Sequence, residues 1–216
     1  MILNGQIRNE KTEKKNALFQ NAFELFTDKG FAKTTIADIV QRSGLAKGTF
    51  YLYFKDKYDL RDKLISYKAG QLFSDAHIAL ASSETADFEE QLLFLTDYII
   101  ERLQAQPSLL RFIAKNLSWG IFRNVFSGNV PQETIPFYDY YLECMTKNGI
   151  SCREPEIMFF TIIELISSTC YSCILYNQPV PMEKYLPYLH QCVLQIFHTF
   201  TGQAPDNAPA EMPGLT

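Results

Sequence analysis

The apolar positions of the first seventy residues recur at helical spacing and break at glycines. Phe19, Ala22, Phe23 and Phe26 stand at i, i+3, i+4 and i+7, which predicts a first helix from about Thr12 to Lys29, ended by Gly30. Ile36, Ile39 and Val40 share one face of a second, shorter helix, and Thr35 followed three residues later by Asp38 is a capping-box start. Ser43-Gly44 can take the left-handed turn that ends it, with Leu45 folding back onto the core. A third short helix has Phe50 and Phe54 as its buried spine, leaving Lys47, Gly48, Thr49, Tyr51, Leu52 and Tyr53 on or near its other faces. Two helices joined by a tight glycine turn form a helix-turn-helix, whose second helix enters the DNA major groove; such pairs are also common in all-helical domains with no such task.

Asp56 with Asp59 opens a fourth helix, which buries Leu60, Leu64 and Ile65 and meets no stop until well past Gln71. Beyond the polar break "ASSETAD", helical patterns cover about 87–105 and 108–117, divided by Pro107. An irregular aromatic-rich stretch follows, then helices at about 132–148, 154–177 and 183–200. Alternating strand patterns are absent, so the predicted fold is all-α, with about nine helices. The division expected is a helix-turn-helix domain over 10–55, a connector helix over 56–74, a helical domain over 75–200 and a proline-bearing, disordered tail over 201–216.

Charge changes the picture. The chain of 216 residues has a net charge of −4, but residues 1–70 carry 13 Lys and Arg against 8 Asp and Glu, and residues 71–216 carry 7 against 16. The basic excess sits in the same third as the helix-turn-helix, an asymmetry that suggests a nucleic-acid module joined to a part with another task. Cys144, Cys152, Cys170, Cys173 and Cys192 are odd in number and sit mostly in apolar helical patterns, as reduced cysteines of a cytoplasmic protein do. "CYSC" at 170–173 lacks the preceding strand, the second ligand pair and the activating polar residues of a redox or zinc motif. The N-terminus lacks a signal peptide's apolar core. "IMFFTIIELISSTCYSCILY" approaches membrane-spanning length but carries Glu164 and several hydroxyls, which favours a helix at a subunit interface over a bilayer span. No cofactor, metal or catalytic spacing is found, so the chain is read as a non-enzyme.

The N-terminal third resembles the TetR family of transcriptional regulators. Phe26, Gly30-Phe31, Thr34-Thr35, Ile39, Gly44, Gly48, "FYLYF" at 50–54, Lys57 and Leu60 carry the resemblance, which covers about residues 10–70. It implies that Thr34 or Thr35, Tyr51, Tyr53 and Lys57 touch phosphates while Lys47, Gly48 and Thr49 face base edges. One departure is Ala46, where family members usually carry Ser or Thr, so the side-chain cap of the recognition helix is lost.

The resemblance also implies that about 75–200 supplies a dimer interface and often an inducer pocket. The last two helices are apolar over more than one face, which fits a two-fold helical contact, with Ile162 and Ile196 as its markers. For a pocket the candidates are Trp119, Phe122, Tyr138, Tyr141, Phe160 and Tyr171, with Glu164 as a carboxylate inside an apolar helix that needs either a cationic ligand or an internal partner such as Arg111 or Lys115. Two functions follow: a repressor released from its double-stranded operator by a small apolar or aromatic molecule, or a DNA-bound protein-interaction factor with no inducer. A cavity of several hundred cubic ångströms favours the first and a filled core the second.

Overall fold

The computed structural model describes residues 2–83, 85, 87–114 and 137–202. They form nine α-helices and no strand: α1 (Ile2–Asp28), α2 (Ile36–Arg42), α3 (Lys47–Tyr51), α4 (Lys57–Ala81), α5 (Phe88–Ala105), α6 (Pro107–Ala114), α7 (Phe137–Lys147), α8 (Pro155–Tyr176) and α9 (Met182–Thr201). An N-terminal helix-turn-helix is followed by a C-terminal helical domain. The stretch expected to be a disordered tail lies, past Gly202, outside the described residues.

Local chemistry sets the boundaries. Gly30, at φ +86°, turns the chain after α1. The Thr35 side chain accepts from the Asp38 N–H while the Asp38 carboxylate accepts from the Thr35 N–H, closing the capping box on α2. Gly44, at φ +65°, then lets the Leu45 N–H reach back to the Val40 carbonyl at 2.9 Å, a glycine-ended helix stop. Asp56 caps α4 by accepting from the N–H groups of Tyr58 and Asp59. Pro155 starts α8, and Asn177 in the left-handed region ends it.

α1, α2 and α3 pack around Leu18, Phe19, Phe26, Ile39, Phe50 and Phe54, closed from α4 by Leu60, Leu64 and Ile65. A second core fills the space between α4, α5, α7, α8 and α9, with Leu92, Tyr141, Met158, Ile162, Leu189 and Phe197 buried in it. α8 lies against α9 and α4 against α5, while α6 touches α8 on one hand and α1 and α4 on the other. Three side-chain ties join α9 to α5 among the described residues: His190 Nε2 to Asp97 Oδ1 at 2.6 Å, His198 Nε2 to Glu89 Oε1 at 2.8 Å, and Gln104 Nε2 donating to Glu183 Oε1 at 3.3 Å.

α8 is long and apolar enough to cross a membrane by length and composition alone. One of its faces is core: Met158, Phe159, Ile162, Ile166, Cys170 and Cys173 are buried. The opposite face, with Ile157, Phe160, Glu164 and Ser168, is exposed on the single subunit. Two expectations change as a result. Ile162 is 3% exposed and belongs to the interior of its own subunit, so it does not mark an interface, while Ile196 is half-buried against the same core. Glu164 is exposed, not enclosed; reading the whole run as interior missed that its apolar residues are split between two faces.

Candidate nucleic-acid interface and ligand cavity

The α2–α3 unit presents one polar surface. Phe50 and Phe54 are fully buried, which fixes the rotation of α3 and turns Lys47, Gly48, Tyr51 and Leu52 outward, with Thr49 half-buried beside them. Ala46 caps α3 with no side-chain hydrogen bond, so the first amides of that helix have no side-chain partner there. A Cβ built on Gly48 would meet nothing within 4 Å, and its φ is not positive, so nothing inside the chain requires a glycine at this position. Tyr51 is 52% exposed with its ring edge-on to Phe50, whereas Tyr53 is half-buried against the N-terminal core. Many nearby charges cancel: Lys29 pairs with Asp38 at 2.7 Å and Arg42 with Glu24 at 2.6 Å. Lys33 and Lys47 have no ion pair among the described residues, and both are exposed. The Asp38 carboxyl is pushed down to about 2 by its hydrogen bond from Lys29, then by the Thr35 N–H and hydroxyl.

Two predicted contacts are engaged elsewhere. Thr34 is completely buried, and its hydroxyl faces the carbonyls of Gly30 (2.9 Å) and Leu25 (3.2 Å), so of the two threonines only Thr35 is exposed. Lys57 turns inward. Its Nζ donates to the carbonyls of Phe31 at 2.9 Å and Thr34 at 2.8 Å and stands 4.4 Å from the centroid of the Phe31 ring. The ammonium thereby ties α4 to the loop that positions the α2 cap. The residues missed here are Phe31 and the loop carbonyls, because backbone acceptors leave no mark in a side-chain pattern.

An apolar cavity of about 90 Å³ lies between α4, α5, α6, α7 and α8. Phe73, Leu92, Leu95, Leu110, Phe159 and Ile163 are among its walls, and none of the described residues lining it is charged. Of the predicted ligand residues that the structure describes, only Tyr141 borders this cavity. Its ring is 2% exposed, and burial, followed by Tyr140 and Cys144, pushes its phenol up. Tyr138 packs its ring on Phe159, 5.9 Å away, outside the lining. Tyr171 packs toward the N-terminal core and Tyr176, Phe160 points to the outer face of α8, and Glu164 shares that face. Trp119, Phe122 and Lys115 lie outside the described residues. The lining is mostly aliphatic, so a pattern of aromatic positions does not reveal it; the broad apolar run "LLFLTDYII" in α5 was the available clue. Next to Tyr141, His77 has a buried Nδ1 with no hydrogen-bond partner among the described residues, and burial pushes its imidazole down. Its ring is edge-on to Tyr140 at 4.3 Å. Cys170 is no activated thiol: burial, then Cys173, pushes it up to about 12.

Residues 18–64 match the family of bacterial regulatory proteins of the tetR type. A regulator of Bacillus subtilis named as an uncharacterized HTH-type transcriptional regulator, YerO, is 43% identical over 58 residues, 27% of this chain and 20% of the relative. The fatty acid metabolism regulator protein of the same organism is 30% identical over 77 residues, 36% of this chain and 40% of the relative. The matched stretch thus spans between a fifth and two fifths of those relatives' length. The solved FadR of Bacillus subtilis in complex with stearoyl-CoA superposes with a TM-score of 0.58 at 18% identity, over 82% of this chain and 96% of that one. At that identity the likeness is one of fold.

Proposed function

We propose that the chain, whose residues 18–64 match the tetR family of bacterial regulatory proteins, is a transcriptional regulator of that family and acts in the cytoplasm as a homodimeric repressor, released from its operator by a molecule with a long apolar chain. α3 reads the major groove with Lys47 and Thr49 against base edges and Gly48 at the point of closest approach; Thr35, Tyr51 and Tyr53 contact phosphates. Lys57 supports this surface from behind by holding the α1–α2 loop. The exposed apolar face of α8, with Ile157 (51% exposed) and Phe160 (37%), is the dimer surface, and Ile157→Arg should yield monomer by sedimentation.

The observation that carries the ligand reading is the uncharged cavity walled by both α4 and α6. FadR of Bacillus subtilis holds stearoyl-CoA, and a fatty acid metabolism regulator is among the relatives, which favours an acyl chain over a polar inducer. The cavity of about 90 Å³ is below the roughly 300–1,000 Å³ of sites that enclose drug-sized ligands. An acyl chain therefore has to spread the walls, and Leu110 and Ile113 of α6 and Leu72 and Phe73 of α4 are among them. Entry of the chain moves α4, on which the recognition unit is mounted, and spoils the spacing of two half-sites.

The experiment is operator selection from random duplexes, then anisotropy titration with stearoyl-CoA and with free coenzyme A. Release by the acylated form alone, abolished in Ile163→Trp, supports the reading. Retention of DNA with every acyl chain tried, together with no thermal shift, would instead support the factor that recruits a protein partner without an inducer.

A further inference from the structure

A second cavity, of about 290 Å³, opens between the end of α1, the start of α4 and α6. α6 borders both cavities with different residues: Leu110, Ile113 and Ala114 line the apolar one, Arg111 and Phe112 this one. Its chemistry is unlike that of the first. Phe26, Phe31 and Phe112 form an aromatic wall, with Phe26 5.1 Å from Phe31 and stacked on Phe112 at 6.2 Å, 18° from parallel. Two arginines, Arg61 and Arg111, border the same space, and among the described residues no carboxylate lines it. Arg61 is held in place, its Nε and terminal nitrogen on Asp62 Oδ1 at 2.8 and 2.7 Å and its charge 4.9 Å from the Phe31 centroid. Asp62 offsets that charge. Arg111 has no hydrogen bond or ion pair among the described residues, so the cleft keeps one uncompensated, fork-shaped donor beside an aromatic wall.

We infer that this cleft is a second ligand site, for a small aromatic anion of the aryl carboxylate class. The ring of the ligand lies along Phe26, Phe31 and Phe112, and its carboxylate accepts from Arg111, with Arg61 as the second positive neighbour. Its place in the fold gives it a task. Phe31 carries both this wall and the Lys57 ammonium, whose hydrogen bonds set the loop ahead of Thr35. An occupant bridging α4 and α6 there is coupled to operator binding and, through α6, to the apolar cavity, with reciprocal effects.

The test uses the full chain and 4-fluorobenzoate as the probe, followed by fluorine NMR, with 4-fluorobenzamide as the uncharged counterpart. One saturable site per chain is expected at concentrations up to about 10 mM. The amide should bind about tenfold more weakly, and Arg111→Gln should lose about tenfold in affinity while keeping the parent's circular dichroism. Ile163→Trp, which fills the other cavity, should keep one saturable probe site, with only the change in affinity that coupling through α6 imposes, so this outcome stands apart from the fate of the acyl-chain reading. Absence of saturation, equal binding by Arg111→Gln, or simple competition with stearoyl-CoA for one site would overturn the assignment.

Discussion

Replacing Lys57 by alanine separates two tasks that a lysine at the start of α4 could perform. Its Nζ makes two hydrogen bonds shorter than 3.0 Å to loop carbonyls and a third, weak one to Ala32 at 3.5 Å, and it sits over Phe31. A hydrogen bond from a charged donor contributes about 1.5–3 kcal/mol when well buried, and a cation over a ring about 0.5–1 kcal/mol at an exposed site. The side chain is only half-buried and its interactions are not additive, so the low end applies and Lys57→Ala should lose about 2–3 kcal/mol of stability. Urea denaturation at one fixed subunit concentration measures this. Operator binding by the same variant, followed by anisotropy at several salt concentrations, measures the other task. Were the ammonium bound to a phosphate, its removal would lower the slope of log K against log[salt] by about one per subunit, whereas removal of a loop support weakens binding with the slope intact. Unchanged stability together with a slope lower by about one would refute the supporting role and return Lys57 to the phosphate backbone.

Lys47→Ala and Thr49→Ala should each cost about 1–3 kcal/mol on the operator and relax preference at particular base pairs, as read by competition with single-base variants; unaltered preference in both would remove α3 from the groove. Gly48→Ala should fold at least as well as the parent, since alanine favours a helix over glycine by up to about 1 kcal/mol and the added Cβ meets nothing, yet bind DNA more weakly; undiminished binding would mean that no close approach occurs there. Asp38 has its folded value lowered from 3.8 to about 2, so its contribution is complete above about pH 4 and is lost as the pH falls toward 2. Asp38→Asn should therefore flatten the acid limb of a stability profile in that window, and an identical limb would exclude the capping box as a source of acid sensitivity.

The reading unit was legible in the sequence because its determinants are local. The spine of Phe50 and Phe54, the cap at Thr35 and the left-handed turn at Gly44 each act within a few residues, and the structure has all three. α1 starts at Ile2, earlier than the expected Thr12, because its first turns lack the apolar period on which the expectation rested. The cavity was hidden for a different reason. Its walls come from five helices, and an apolar position facing a void has the same pattern as one facing a neighbour: Phe159 lines the cavity and Phe160, next in the chain, faces out. Glu164 misled because a charge in an apolar run signals burial only if the run has a single environment, and α8 has two.

The core beneath the recognition unit is not completed by the helices that carry it. Leu103 of α5 and Leu109, Leu110, Phe112 and Ile113 of α6 belong to the same cluster as Leu18, Ile39 and Phe50. Cutting the chain after α4 would expose that seam, and each large apolar side chain left uncovered forfeits about 1.5–3 kcal/mol, so a handful equals the whole stability of a small domain. The reading head should therefore unfold together with α6 and the end of α5, whose residues complete its core. Amides in α2 should then exchange with solvent at the rate at which α6 detaches, and a head moved onto another body should need its own α6 to fold.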